Sequence, residues 1–149
     1  MDREEFARRI GDKIKLIRTE YGLSQDVMSD IIGISKKTLC DTEKGKRSLS
    51  WIEAVAVTSI FGKSEILQSE FGGEQSEIIE ALAFDSRKIK YPSTMGGKVW
   101  WRPVFEQDGY QIQQNIISSH YRLLDSQNRR MISSFDLDQV RDYLSSISK

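Results

Sequence analysis

Apolar residues recur at spacings of three and four through the first sixty residues and at a spacing near two after residue 99, so the chain predicts helices first and strands later. Ile10, Ile14, Ile17 and Tyr21 make one face of a helix from about Phe6 to Tyr21, which Gly22 is placed to end. Ser24 caps a second helix whose stripe is Val27, Met28, Ile31 and Ile32. Gly33 breaks it, Ile34 plugs the turn into the core, and Ser35 caps a third helix. In that helix only Leu39 is strongly apolar, so Lys36, Lys37, Cys40, Asp41 and Lys44 are left to face outward. Gly45 ends it, and Lys46-Arg47-Ser48 form a loop. Ser50 and Glu53 make a capping box for a fourth helix from about Trp51 to Phe61. Gly62 closes that helix, and Ser64 to Gln68 reads as a short fifth. On the fourth helix Trp51, Ala54, Val55, Thr58 and Phe61 can serve the core. Ile52, Ala56 and Ile60 then need a cover, either the C-terminal segment or a second copy of the chain.

From Phe71 the composition changes. Ser76 to Phe84 fits one more helix, and Asp85 to Lys98, with Pro92 and Gly96-Gly97, reads as a linker. Val99 to Phe105 is strand-like, Gln107-Asp108-Gly109 is a hairpin turn, and Tyr110 to Ile117 is the returning strand. His120 to Leu124 and Arg130 to Ser134 are two further strands, separated by a polar turn at Asp125-Ser126-Gln127-Asn128. Asp136 caps a last helix with Leu137, Val140, Leu144 and Ile147 on one face. Trp100 and Trp101 are adjacent on a predicted strand and must face opposite sides, which places one of them in the core. The fold class is α+β: a five-helix N-terminal bundle, then a small antiparallel sheet backed by a C-terminal helix.

Composition narrows the chemistry. The 149 residues hold one ordinary domain or two small ones, and no apolar run reaches the roughly 20 residues of a membrane span. The N-terminus lacks the apolar core of a signal peptide, so a cytoplasmic location is expected. With one Cys and one His, neither an intrachain disulfide nor a zinc finger can form, and no metal or cofactor set is predicted. There is no phosphate loop, no paired His-carboxylate spacing and no nucleophile elbow, so the chain reads as a non-enzyme. The formal charge is zero, which argues against indiscriminate nucleic-acid binding. Yet from Lys36 to Arg47 five basic residues stand against two acidic ones, a local patch suited to a specific binder or to a solvated face.

The run from Gly22 to Gly45 has the grammar of a helix-turn-helix: cap, short amphipathic helix, glycine turn, second cap, lysine-rich helix, closing glycine. Over about Ile10 to Leu67, roughly two-fifths of the chain, it resembles the Cro/repressor-type, or xenobiotic-response-element, helix-turn-helix family. Leu23-Ser24-Gln25, Gly33-Ile34-Ser35, Thr38-Leu39, Glu43-Lys44-Gly45-Lys46-Arg47, Ser50 and the Phe61-Gly62 helix end carry the resemblance through their joint spacing. It implies a bundle of about five helices that binds operator DNA as a dimer. It further implies that Gln25 contacts DNA backbone and braces the recognition helix, and that Ser35, Lys36, Lys37, Thr38 and Asp41 sit at base- and phosphate-contacting positions. Lys44, Lys46 and Arg47 match backbone-contacting positions, and Glu43 a structural glutamate. The chain departs from the family pattern at Thr42 (usually a large aliphatic), Ser29 (usually alanine), Leu49 (commonly proline) and Asp41 (often basic or amide). Asp41 is placed either to accept from cytosine N4 or to pair with Lys37 or Lys44.

The expected organisation is therefore a DNA-binding domain over residues 1–70, a helix and linker over 71–97, and a β-meander plus helix over 98–149 serving dimerisation or binding a partner or effector. The last part has the α-β-β-β-α order of double-stranded RNA-binding domains, but Asp136, Asp138 and Asp142 on its final helix are wrong for phosphate contacts. The expected function is a sequence-specific double-stranded-DNA-binding transcriptional regulator, a prokaryotic or phage repressor. The alternative is an interaction module, such as an antitoxin whose C-terminal half binds a protein partner. A homodimer is expected, because one recognition helix reads only a few base pairs. The C-terminal half is expected to be the dimer module, so that a chain ending at Gly73 stays folded as a monomer. Cys40, among lysines, reads either as a redox-sensitive thiol or as a small residue without a role; His120 reads as structural.

Overall fold

Six helices precede the first strand in the computed structural model, which describes residues 1–73, 75–85, 87 and 100–148. They are α1 (Arg3–Glu20), α2 (Gln25–Ile32), α3 (Lys36–Glu43), α4 (Trp51–Ile60), α5 (Glu65–Phe71) and α6 (Gln75–Phe84). Strands β1 (Trp101–Gln107), β2 (Tyr110–Asn115), β3 (Tyr121–Leu124) and β4 (Arg130–Ser134) follow, then α7 (Leu137–Ile147). The chain divides into two compact units, Met1–Tyr91 and Pro92–Lys149. The architecture is α+β. Pro92 and Gly96-Gly97 of the expected linker, and Val99 of the expected first strand, lie outside the described residues. Among the described residues no helix is long and apolar enough to cross a membrane.

In the first unit α1 packs against α3, α4 and α5. Phe6, Ile10, Ile14 and Ile17 are fully buried along one stripe of α1, as their spacing requires. Each such side chain contributes about 1.5–3 kcal/mol on leaving water. The helix starts earlier than its apolar face does, because the Asp2 carboxylate accepts the Glu5 N–H at 2.8 Å and caps it. Met28, Leu39, Leu49, Ala54, Val57, Phe61 and Leu67 complete the cluster.

Two helices match the expected face only in part, although on α4 Ala54, Thr58 and Phe61 are buried as expected. On α2, Met28 and Ser29 are buried, but Val27 and Ile31 are 48% and 43% exposed. Apolar residues at i, i+1, i+4 and i+5 span two adjoining faces of a helix, and only the Met28 side lies against the core. On α4 the buried residues are Ala54, Val57 and Thr58, with Val57 in place of Val55, and Ile52 is 78% exposed. A helix that is apolar nearly all round carries no periodicity that chooses its inner side.

The sixth helix belongs to the first unit. Ile78, Ile79 and Leu82 pack against the same core, and Arg3 donates to the carbonyls of Leu82 and Ala83 at 3.2 and 2.9 Å. The bundle therefore holds six helices among its described residues. A chain ending at Gly73 would uncover the part of this core that Ile78, Ile79 and Leu82 cover. Gly72 and Gly73, both at positive φ, make a turn that reads as a boundary but returns the chain onto the bundle.

Long-range polar ties fix the remaining helices. The Glu20 carboxylate accepts the Ser64 hydroxyl at 2.6 Å and the Glu65 N–H at 2.8 Å, tying the start of α5 to the end of α1. Arg9 donates to the Glu70 carboxylate and carbonyl, both at 2.8 Å. At α4 the capping box is present as read: Glu53 N–H donates to Ser50 Oγ at 3.1 Å, and Ser50 N–H to Glu53 Oε1 at 2.8 Å. Arg47 adds a 3.0 Å bond to the same Glu53 oxygen.

Burial pushes the Glu53 carboxyl up, but the bonds from Ser50 and Arg47 outweigh it and hold the group below its ordinary 4.5. A carboxylate held below its unfolded value stabilises fully above that value. The contribution is lost as pH falls through the lower, folded value. Glu53→Gln should therefore cost about 1 kcal/mol at neutral pH and lose stability less steeply than the parent below about pH 4.5. Urea midpoints measured across that range test it; parallel curves would refute it.

The second unit is an antiparallel meander in the order β1-β2-β3-β4. Asp108 and Gly109, both at positive φ, make the tight β1–β2 turn, and the ladder closes at Gln107↔Tyr110. The second strand stops at Asn115, not Ile117, because the Asn115 side chain accepts from the N–H groups of Ile117 and Ser118 and turns the chain. Asp125 closes the β3–β4 turn by accepting from Gln127 and Arg129. Ile112 and Leu123 pack against Val140 and Leu144 of α7, which Asp136 caps as expected. Neither tryptophan belongs to this buried cluster, contrary to the alternation argument. Trp100 precedes β1 and is 45% exposed, and Trp101 lies against Arg122 and His120.

Candidate nucleic-acid interface

The segment from Gln25 to Glu43 is built as two capped eight-residue helices. Ser24 Oγ accepts the Val27 N–H at 3.2 Å, and Ser35 Oγ the Thr38 N–H at 3.0 Å. Between them Gly33 stands at φ 89°, where a side chain is strained, and the N–H groups of Gly33 and Ile34 both close on the Ser29 carbonyl. Ser29 is buried, and its hydroxyl bonds the Asp26 carbonyl at 2.9 Å, which satisfies the buried polar atom. Thr42 satisfies its own hydroxyl on the Thr38 carbonyl at 2.8 Å and faces Gly11 of α1. A small residue on one helix thus meets a glycine on the other.

The inner side of α3 is anchored by an ion pair that local pattern reading did not find. Arg18 of α1 donates through Nε and one Nη to the two Glu43 oxygens at 2.9 and 3.0 Å, and through the other Nη to the Leu23 carbonyl at 3.0 Å. The Glu43 side chain is only 4% exposed. Bonding to Glu43 holds the Arg18 guanidinium above its ordinary value against the opposing effect of burial. Gln25 joins the pair: its amide nitrogen lies 3.4 Å from Glu43 Oε1, and its oxygen accepts the Cys40 thiol at 3.1 Å. Helices α1, α2 and α3 are thereby tied at one point, and Cys40 is half-buried in the tie.

The outer side differs in kind. Lys36, Lys37, Lys44 and Lys46 are exposed. Lys36 pairs with Asp26 at 3.3 Å between two well-exposed side chains, a contact worth no more than about 1 kcal/mol and easily released. Lys37, Lys44 and Lys46 form no ion pair with any described residue, and Asp41 pairs with neither Lys37 nor Lys44 among them. The Ser35 hydroxyl serves the cap and donates to Thr38 Oγ1 at 2.8 Å. Arg47 is placed otherwise than its loop position suggests: it is half-buried and held by Glu53 and by Thr42 Oγ1 at 3.3 Å. The geometry brings Ser35, Lys36, Lys37, Thr38, Asp41 and Lys44 onto or beside one short helix, leaves Lys46 exposed past its end, and gives Gln25 and Arg47 bracing contacts.

Set against protein-family models, curated proteins and solved structures, the chain matches none.

Proposed function

We propose that this protein is a sequence-specific regulator of transcription that binds double-stranded DNA, of the Cro/repressor type and acting as a repressor. The observation that carries the reading is the two-sidedness of α3. Its inner residues Leu39, Thr42 and Glu43 are committed to the bundle, while of its outer residues Lys37, Asp41 and Lys44 form no ion pair with a described residue and Lys36 forms only the exposed one with Asp26. A short, capped, rigidly backed helix with an unsatisfied polar and cationic face is what the major groove accepts. Lys37, Lys44 and Lys46 would meet phosphates, Asp41 a cytosine amino group, and Gln25 would hold the helix at its angle. Two half-sites require two copies of the chain. The second unit, whose Ile117 and Phe135 are 72% and 76% exposed, is the proposed dimer module.

Selection from genomic fragments with the full chain should enrich an inverted repeat. On that site Lys37→Ala and Lys44→Ala should each weaken binding across all sequences and reduce the salt-dependence slope by about one, as a lost phosphate contact does. Asp41→Ala should instead relax preference at one base pair. Selection that enriches no sequence would overturn the regulator reading. Enrichment with unchanged salt slopes would overturn the assignment of these lysines.

A further inference from the structure

Helix α7 packs on β3 and β4. In the order β1-β2-β3-β4 that leaves β1 at the far rim of the covered face. Phe105 shows the consequence. It stands opposite Ile112 in the ladder and so shares the α7 face of the sheet, yet it is 40% exposed where Ile112 is fully buried. Between the strand and the helix runs a groove of about 250 Å³, lined by Phe105 and Gln107 of β1 and by Arg141, Leu144 and Ser145 of α7.

The same strand is an edge of the sheet. Among the described residues β1 is paired with β2 alone, so alternate backbone groups point outward. Along β2, the Ile116 N–H bonds the Trp100 carbonyl and the Asn115 N–H bonds the His120 carbonyl. Alternate residues of β2 thus serve alternate neighbours. By that alternation Gln111 bonds β3, and its partner Glu106 turns its N–H and carbonyl away from the sheet. Pro103 and the bulge beside it block the first half of this edge, since proline has no N–H to offer. Residues 104–107 are left beside the groove. Arg141 sets the charge there. Its guanidinium carbon is 5.9 Å from the centre of the Phe105 ring, and it forms no ion pair with any described residue, although Asp138 and Asp142 stand on the same helix. Size decides what kind of ligand fits. Pockets that enclose a small molecule hold roughly 300–1,000 Å³. This open groove holds one side chain, so its ligand must draw the rest of its affinity from the strand.

We infer that the groove between β1 and α7 receives an extended, acidic segment of a partner protein, which adds to the sheet beside residues 104–107 as a further strand. Along such a segment residues i and i+2 share one face, about 7 Å apart. A large apolar side chain at one of them enters between Phe105 and Leu144, and an Asp or Glu at the other reaches Arg141. The groove lies at the Gln107 end of the sheet. Ile117 and Phe135 follow the strand ends that pair at Trp101↔Asn115 and Tyr121↔Ser134, at the opposite end. The site makes no use of α3 or of the proposed dimer contact, so its failure leaves the regulator reading standing.

The test is selection of random short peptides displayed on phage against the full-length chain, followed by amide NMR of that chain with the enriched peptide. The enriched sequences should carry a large apolar residue and an acid two positions apart, and the peptide should shift the amides of residues 104–107 and of α7. Phe105→Ala should weaken binding about tenfold, the scale of a truncated anchor. Arg141→Glu should replace the enriched acid by Lys or Arg at the same position, an outcome that unfolding does not produce. Glu106→Pro removes the outward N–H and spares the bonds between β1 and β2, so it should abolish binding while the α7 amide signals stay in place. Enrichment of no sequence, or of amphipathic helices, would overturn the site, as would a Glu106→Pro chain that binds as the parent does. Enrichment without the acid, unchanged by Arg141→Glu, would overturn the acidic partner. Shifts of residues 104–107 on dilution of the chain alone would overturn it too, in favour of a second copy on the same edge.

Discussion

Replacing Glu43 by alanine should lower the unfolding free energy of the first unit by about 3–5 kcal/mol, the usual cost of breaking a buried ion pair from one side. The loss comes less from the missing attraction than from the Arg18 guanidinium left behind. That group is held between α1 and α3, donates to Glu43 through two bonds, and among the described residues has only the Leu23 carbonyl as a further acceptor. A small domain's whole stability is about 5–15 kcal/mol, so such a variant approaches the unfolding threshold. Glu43→Gln keeps the shape and the Gln25 contact but removes the charge, and should recover only part of the loss. Arg18→Met with Glu43→Leu, which removes both charges and fills the space, should lose much less than either single truncation. Urea unfolding of the four chains decides the matter. A Glu43→Ala chain within about 1 kcal/mol of the parent would mean that the pair is solvated and not an anchor.

Leu39→Ala should cost about 2–5 kcal/mol and, on the regulator reading, should harm operator binding beyond that cost. Leu39 is the only large apolar side chain that α3 buries; its other buried residue is Thr42. An eight-residue helix has little stability of its own, so nearly all of its order comes from docking. Removing Leu39 therefore frees α3 before the rest of the bundle unfolds. Hydrogen exchange should show α3 amides opening locally while the α1 amides open only with global unfolding. On the regulator reading, affinity for the selected site should fall even at temperatures where the bundle is fully folded. Equal loss of protection in α1 and α3 would show instead that the helix unfolds only with the core.

The local grammar of this chain was legible and its long-range partnerships were not. Ser24, Ser35, Ser50 with Glu53, and Asp136 act within three residues of themselves, so their capping roles can be read directly from spacing. The strand and turn sequence of the second unit follows from Asp108-Gly109 and from the period-two pattern. The partner of Arg18 lies 25 residues away and that of Glu20 lies 44, and no periodicity marks either. Val27 and Ile31 were misread because the pattern identifies a helix but does not choose between two adjoining apolar faces. Helix α6 looked separate because a double glycine resembles a boundary whether or not the chain comes back to the core. In the candidate interface the outward lysines could be read, since a thin apolar stripe leaves them nowhere to go. The bracing contact of Arg47 could not, because it depends on a capping box that also has room for a guanidinium.

On the regulator reading, the division of labour on α3 also bears on how the protein would change its target. Lys36, Lys37, Asp41 and Lys44 lie outside the buried cluster and outside the Arg18–Glu43–Gln25 tie. Exchanges at such positions typically shift stability by no more than about 0.5 kcal/mol. A lineage, or an experimenter, can therefore rewrite these four positions in combination without first securing a compensating mutation elsewhere. Drift in specificity and retention of the fold become nearly independent processes, and a library randomised at these codons should consist largely of folded members.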